Sequence, residues 1–315
     1  MLENQLGVRG SNKMNRNKVV VSILTGASIS LFIIANMFIF FNCNNQTNTH
    51  KKGIYVSSEQ PISSLLIVSP LSSINADPIP QGFVGFKEWS ETKRVLVVSE
   101  LERDAHLSSE VIKFLKETLR DKDLSDLVRN NVANALLAQE PKDATLYRVF
   151  LDVVGDSSQS PTWRCYSIQF LAETLPYCAN RVEVTKRLHD LTRDNDQTLA
   201  SQAMMMLAYA ADKGEVELEK SFDDRLIERL KAPNATDEMK MATLQLLGRR
   251  DMHQHVDLVR EQVSKPSSYQ RVAIASLGQL GDESDIARLE PLGRSHDNLV
   301  SAAAKSALAR LKGKQ

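Results

Sequence analysis

Three cysteines in 315 residues, Cys43, Cys165 and Cys178, are too few for a disulfide framework. Cys165 falls in a helical pattern and Cys178 on the loop after it. At 1.5 Å of rise per residue they stand roughly 15–20 Å apart, beyond the span of a disulfide. Cysteine usage therefore leaves the redox compartment open. The chain also lacks a Gly-rich phosphate loop, an HExxH helix and a GxSxG turn, which removes the motif-based case for nucleotide hydrolysis, zinc proteolysis and serine hydrolysis. No segment reads as a convincing strand, and aromatic residues make up only 6% of the chain. An excess of one charge is missing overall, with 39 basic and 39 acidic residues, yet the distribution is uneven. Residues 1–52 hold six basic side chains (Arg9, Lys13, Arg16, Lys18, Lys51, Lys52) and one acid, Glu3, which leaves residues 53–315 at a net −5. A mildly acidic remainder argues against a nucleic-acid partner, which requires a basic surface to displace counterions.

Four segments follow from the pattern. Residues 1–18 are polar and basic, an N-terminal tail. Val19–Phe41 is an uncharged stretch of 23 residues, about 34 Å as a helix, enough to cross a bilayer core. Its apolar run is too long for a cleaved signal peptide, Phe40-Phe41-Asn42 is a poor cleavage context, and the residues before Cys43 are not the small ones a lipoprotein signal requires. An uncleaved signal anchor is expected. The four basic residues before the span, against Lys51 and Lys52 after it, place the N-terminus in the cytoplasm and the C-terminal part outside it, periplasmic or extracellular. Residues 42–85 read as a Ser/Pro-rich linker around Pro61, Pro70, Pro78 and Pro80. Within it the apolar run Leu65-Leu66-Ile67-Val68 either straps onto the following domain or stays part of the tether. Asn45-Gln46-Thr47 and Asn234-Ala235-Thr236 match the glycosylation triplet, a match that matters only in a eukaryotic secretory pathway.

From residue 86 to 315 the chain reads as helix after helix, an all-α domain. A lead-in helix is expected over Lys87–Arg103 and a second over Ser109–Leu119. Beyond them one frame repeats. With Leu136, Leu171, Leu207, Leu247, Leu277 and Leu308 as reference, the residue eight before is Val128, Trp163, Leu199, Met239, Tyr269 or Val300, apolar every time. The residue four before is Val132, Ser167, Ala203, Thr243, Ala273 or Ala304, never large. Positions i, i+4 and i+8 share a helix face, so the frame describes a buried stripe with a close-packing point at its middle. Asp126, Ser160, Asp196, Asp237, Ser267 and Asn298 are the expected helix starts, residue types that cap free N–H groups, with Pro161 suited to a first helical position. Shorter amphipathic helices are expected between the reference helices, at Leu146–Val154, Val182–Leu191, Leu226–Leu230, Val256–Val263 and Ile286–Leu292, the last cut short by Pro291.

The reference leucines are spaced 35, 36, 40, 30 and 31 residues apart, the period of helical-hairpin arrays. The apolar–basic pairs Val128-Arg129, Trp163-Arg164 and Met239-Lys240, the small residues after the leucine (Ala172, Ala208, Gly248, Gly278, Ala309), and Leu277-Gly278-Gln279-Leu280-Gly281-Asp282 carry a resemblance. Over Ser109–Lys312 the chain resembles HEAT repeats, the short variety also seen in phycobilisome-lyase-type repeats. The resemblance implies a HEAT-like α-solenoid whose second helices line a concave, partner-binding side. The family's basic residue is replaced by Ala200, Gln270 and Ser301, so an unbroken Asp–Arg ladder between repeats is not expected, and Leu137 departs from the small-residue position. Resembling proteins include scaffolds and adaptors, bilin lyases and a DNA glycosylase, so fold does not decide function.

Candidate chemistry is sparse. His253-Gln254-His255 is the sole close His pair, and alternate residues on a helix point apart, so no metal is expected. Asp223-Asp224 and Glu215 with Glu217 read as solvated acids, and Met204-Met205-Met206 as core. No cofactor or catalytic residue is indicated. The candidate partner surface is the set Arg148, Arg187, Arg193, Arg225, Arg229, Arg260 and Arg288 on or beside the second helices, with Lys186, suited to an acidic peptide. Asp190, Glu228, Glu261 and Glu290 alternate with them, so a salt-bridged solvent face is the competing reading. The expectation is a membrane-tethered scaffold or adaptor that binds a protein or peptide. A lyase-like enzyme or a structural subunit of a membrane complex are the alternatives.

Overall fold

The computed structural model describes residues 80–104 and 106–313, so the Val19–Phe41 span, the tail before it and the run Leu65–Val68 lie outside the described residues. Among the described residues no helix is long and apolar enough to cross a membrane, and none of them forms a strand. They make thirteen α-helices. In chain order these are α1 (Glu91–Leu101), α2 (Ser109–Thr118), α3 (Asp126–Ala138), α4 (Tyr147–Gly155), α5 (Pro161–Thr174), α6 (Arg181–Leu191) and α7 (Gln197–Asp212). They continue as α8 (Phe222–Lys231), α9 (Asp237–Arg249), α10 (Val256–Val263), α11 (Gln270–Leu280), α12 (Ile286–Leu289) and α13 (Asn298–Lys312).

The repeat frame accounts for the odd-numbered helices from α3 onward. Val128, Trp163, Leu199 and Met239 are fully buried, as are Val132, Ser167, Ala203, Thr243, Ala273 and Ala304, while Tyr269 and Val300 keep less than a tenth of their surface. Of the reference leucines, five are buried, and Leu308 on the last helix is half-buried. Each fully buried leucine contributes on the order of 1.5–3 kcal/mol, so the stripe is the main cohesive feature. Its partners are close in the chain. α1 packs on α3, α3 on α5, α5 on α7, α7 on α9, α9 on α11, and α11 on α13. Each even helix lies against the odd helix that follows it, from α2 on α3 to α12 on α13, and α4 also touches α6. Backbones approach closest where glycine follows the leucine. A Cβ on Gly278 would stand 2.7 Å from Ala307 Cβ, and one on Gly248 would stand 3.1 Å from Ser276 Cα.

Several boundaries differ from expectation. The lead-in helix is shorter than Lys87–Arg103, because Ser90 caps α1 by accepting the Lys93 amide. Residues 81–83, assigned to the linker, form a 3-10 turn whose Phe83 is buried. There Phe83 and Phe86 lie 4.9 and 5.5 Å from the Phe114 ring of α2, so the folded part reaches back past residue 86. α8 is longer than Leu226–Leu230 because Phe222 is buried at its start. α12 ends at Leu289, earlier than Leu292, two residues before Pro291. Ser160 and Asp196 are caps as expected. At three other starts the cap is one residue earlier, Ser125, Thr236 and Asp297 in place of Asp126, Asp237 and Asn298. Ser267 is not a cap. Its carbonyl takes the Gln270 amide in a turn before α11 starts, and its hydroxyl is buried without a hydrogen-bond partner.

The displaced acids tie neighbouring helices. Ser125 Oγ donates to Glu91 (2.9 Å), Ser160 Oγ donates to Asp126 (2.7 Å), and Ser268 Oγ donates to Asp237. Between α7 and α9 the link is an amide: Gln197 Oε1 accepts from the Thr236 N–H at 2.9 Å while its Nε2 donates to the Asn234 carbonyl. The first residue of one odd helix thus holds the start of the next. Pro161, which has no polar side chain, interrupts this row at α5, and Gln270 ends it at α11 by donating to the Val263 carbonyl.

Candidate functional site

The second helices present the arginines singled out above, and most of those side chains are engaged. Glu219 accepts from both Arg193 and Arg225, the latter at 2.7 Å, which joins the end of α6 to α8. The hydrogen bond from Arg225 is the main reason the Glu219 carboxyl sits below its ordinary range. Arg229 on α8 reaches back to the Thr192 and Asp194 carbonyls at 3.3 and 3.1 Å, neutralising the open C-terminal carbonyls after α6. Arg260 on α10 makes a two-pronged pair with buried Asp285 at 2.8 and 2.9 Å, and also reaches Asp257 at 2.9 Å and Asp282 at 3.2 Å. Those carboxylates, Asp285 first, raise its affinity for its proton. Arg288 on α12 donates to Ser264 Oγ at 3.1 Å, just past the end of α10. These five arginines bind one second helix to its neighbour.

Arg148 and Arg187 differ. Arg148 on α4 is exposed, its Nε 3.4 Å from the Tyr147 hydroxyl, and that hydrogen bond raises its affinity for its proton. Arg187 on α6 is half-buried and forms no hydrogen bond or ion pair with any described residue. It lines a groove of about 380 Å³ between α4 and α6 with Leu151, Gly155, Glu183, Lys186 and Asp190. Gly155 leaves the floor open, since a Cβ there would meet nothing within 4 Å. Two neighbours are already committed, Lys186 to Asp190 at 2.9 Å and the Glu183 carboxylate, which accepts from Asn180 Nδ2 at 3.1 Å. Five of the seven arginines are therefore brought together in two groups, Arg193, Arg225 and Arg229 between α6 and α8 and Arg260 with Arg288 around Asp285, while Arg187 lies in the α4–α6 groove and Arg148 is exposed on α4.

A second opening of about 530 Å³ is lined by His253, Val256, Leu280, Gly281, Asp282, Glu283 and Leu311. His253 sits in a 3-10 turn and its Nδ1 donates to the Leu280 carbonyl at 2.9 Å, while Asp282 accepts the Ser284 amide at 2.8 Å. These are ties within the fold. Among the described residues no group of His, Cys, Asp and Glu is placed to hold a metal ion. Cys165 is buried, and desolvation pushes its thiol up to about 12, so it stays protonated and unreactive at neutral pH.

What these features define, among the described residues, is an all-α arrangement whose helices pack on near neighbours in the chain, with a groove between α4 and α6 in which Arg187 has no carboxylate partner. Compared with protein-family models and with curated protein sequences, the chain matches none.

Proposed function

We propose that residues 86–315 form a HEAT-like α-solenoid and that the chain is a membrane-tethered scaffold, anchored by Val19–Phe41, that binds an acidic stretch of a partner protein. The packing of each odd helix on the next, through the same buried frame, supports the solenoid. The observation that carries the binding reading is the α4–α6 groove, where Arg187 stands without a carboxylate in a row whose other arginines mostly have one. A guanidinium with no internal partner is free to pair with a carboxylate brought by another chain, and Arg148, exposed on α4, the helix that forms one side of the groove, supplies a second positive charge. The tether confines the domain to the membrane surface and raises its effective concentration for a partner held there.

A photo-crosslinking residue placed at Leu151 in the full-length chain, in intact cells, tests this. The expected product joins the groove to an acid-rich peptide of one neighbour and disappears in Arg187→Glu, with the melting temperature unchanged. A crosslink that survives the charge reversal, or no neighbour above a tether-only control, sinks the reading. Protease added outside spheroplasts should digest the helical domain. Full protection reverses the proposed orientation.

A further inference from the structure

The opening of about 530 Å³ near the C-terminus differs in charge from the α4–α6 groove. Its seven lining residues include two acids, Asp282 and Glu283, and neither lysine nor arginine. α11 ends at Leu280 and α13 one residue past Leu311, so both helices reach the opening with their carbonyl ends, the negative ends of their dipoles. α13 meets that field with Arg310 and Lys312 in its last turn. α11 has no basic residue in its last turn and is followed directly by Gly281, Asp282 and Glu283. The cations bonded nearby are already shared out. Arg260 serves Asp257, Asp282 and Asp285, and Arg288 stands 3.8 Å from Asp285. Two positive charges thus meet three acids before Glu283 is counted.

Most polar groups of the opening are occupied by the fold, and one is not. Asp282 Oδ1 takes the Ser284 amide at 2.8 Å and its Oδ2 takes Arg260 Nη2 at 3.2 Å, so Asp282 serves the turn that follows α11. His253 donates from Nδ1 to the Leu280 carbonyl at 2.9 Å, which in the neutral ring leaves Nε2 an acceptor. Glu283 is exposed, and its carboxylate forms no hydrogen bond or ion pair with any described residue. Val256, Leu280 and Leu311 supply the apolar lining. A free carboxylate, an imidazole acceptor and two helix C-termini favour a positive charge, and the apolar lining favours a hydrocarbon stem that carries it. Lysine and arginine join those two features in one side chain. We propose that this opening is a second docking site, which takes a lysine or arginine side chain of a partner polypeptide, its stem against Val256 and Leu311 and its charge against Glu283. This does not depend on what the α4–α6 groove binds.

The test uses the full-length chain in a neutral detergent and two end-blocked photo-reactive tripeptides. One is photo-leucine–lysine–photo-leucine, and the other has norleucine in place of lysine. Labels are mapped by mass spectrometry. The lysine probe should label the stretches around Val256, Leu280 and Leu311 about fivefold more than the norleucine probe does. Glu283→Gln should cut that labelling about threefold, Glu283→Lys should abolish it, and Arg187→Glu should leave it unchanged. The lysine-to-norleucine ratio is read on the parent chain, so it holds as a test even where a Glu283 variant fails to fold. Equal labelling by the two probes, labels that fall elsewhere, or labelling that survives both Glu283 changes overturns the proposal. Stronger labelling in Lys314→Gln assigns the opening to the chain's own C-terminal lysine and overturns it as well.

Discussion

Replacing three glycines by alanine, one at a time, separates packing from helix propensity and tests how closely neighbouring helices approach. At Gly278 a Cβ would sit 2.7 Å from Ala307 Cβ and 2.8 Å from Ala307 Cα. Carbon atoms prefer separations of about 3.5–4.0 Å, so α11 and α13 must part by roughly 1 Å. Overpacking of that kind costs about 1–3 kcal/mol, against a gain of about 1 kcal/mol from alanine's better helix propensity. The net expectation for Gly278→Ala is a loss of up to about 2 kcal/mol. At Gly155, where a Cβ meets nothing within 4 Å, only the propensity gain remains, about 0.4–1 kcal/mol of stabilisation. Gly248→Ala should fall between them, because its closest neighbour is the movable tip of Gln279 and the Ser276 backbone stands 3.1 Å away.

The assay is urea unfolding followed by circular dichroism, with hydrogen exchange to locate the change. Because α11 and α13 pack mainly on each other and on adjacent elements, the exchange increase in Gly278→Ala should concentrate in those two helices and leave α3 and α5 unaltered. If Gly278→Ala raises the unfolding midpoint as much as Gly155→Ala does, the close approach is wrong. If protection is lost evenly from α3 to α13, the helices are coupled globally and the near-neighbour reasoning fails.

Two further changes probe single groups. Ser167 is fully buried with no hydrogen-bond partner for its hydroxyl, and alanine is the residue at the equivalent position in α7, α11 and α13. Ser167→Ala should therefore stabilise by about 1 kcal/mol in the same urea assay, and a loss of similar size would mean the hydroxyl is satisfied. Glu219 faces Arg225, Arg193 and His189, whose Nδ1 lies 3.5 Å from its Oε1 without forming a hydrogen bond, and its folded-state pKa is lowered chiefly by Arg225. Such a carboxylate adds stability that is complete above its unfolded value of about 4.3 and is lost as pH falls through the folded value. Glu219→Gln should therefore lower the melting temperature at pH 7 and flatten its decline below about pH 4.3. Parallel melting-temperature profiles for the two proteins would refute the assignment.

The frame was legible because it depends on the helix period alone. Val128, Val132 and Leu136 share a face in any α-helix, and apolar side chains on one face of a helix become core wherever a neighbour exists. Helix starts were legible only to the nearest residue. Ser125-Asp126, Thr236-Asp237 and Asp297-Asn298 each offer two capping side chains in succession. In all three pairs the first residue takes the cap. The second becomes the first helical residue, where the acids Asp126 and Asp237 meet the positive end of the dipole and the next helix's serine. The contacts of Asp126 and Asp237 with a serine about thirty residues further on are invisible to local pattern. The destinations of the arginines were hidden for the same reason. Arg229 serves carbonyls 35 and 37 residues away and Arg260 a carboxylate 25 residues away, distances in sequence that only the stacking geometry converts into contact.

Those destinations bear on what the second-helix row is able to bind. An arginine shared between neighbouring helices is held in place and its charge is met, so it offers an incoming anion little that water does not. Arg193, Arg225, Arg229, Arg260 and Arg288 fall in that group, which removes most of the positive charge that the sequence suggests for this side. What remains is on α4 and α6, at Arg148 and Arg187, where the open Gly155 leaves room beside Arg187. A partner chosen by charge would therefore engage a site a few residues wide. Its recognition would be sensitive to single substitutions in the α4–α6 groove and indifferent to neutral replacements around α8 and α10 that preserve the fold.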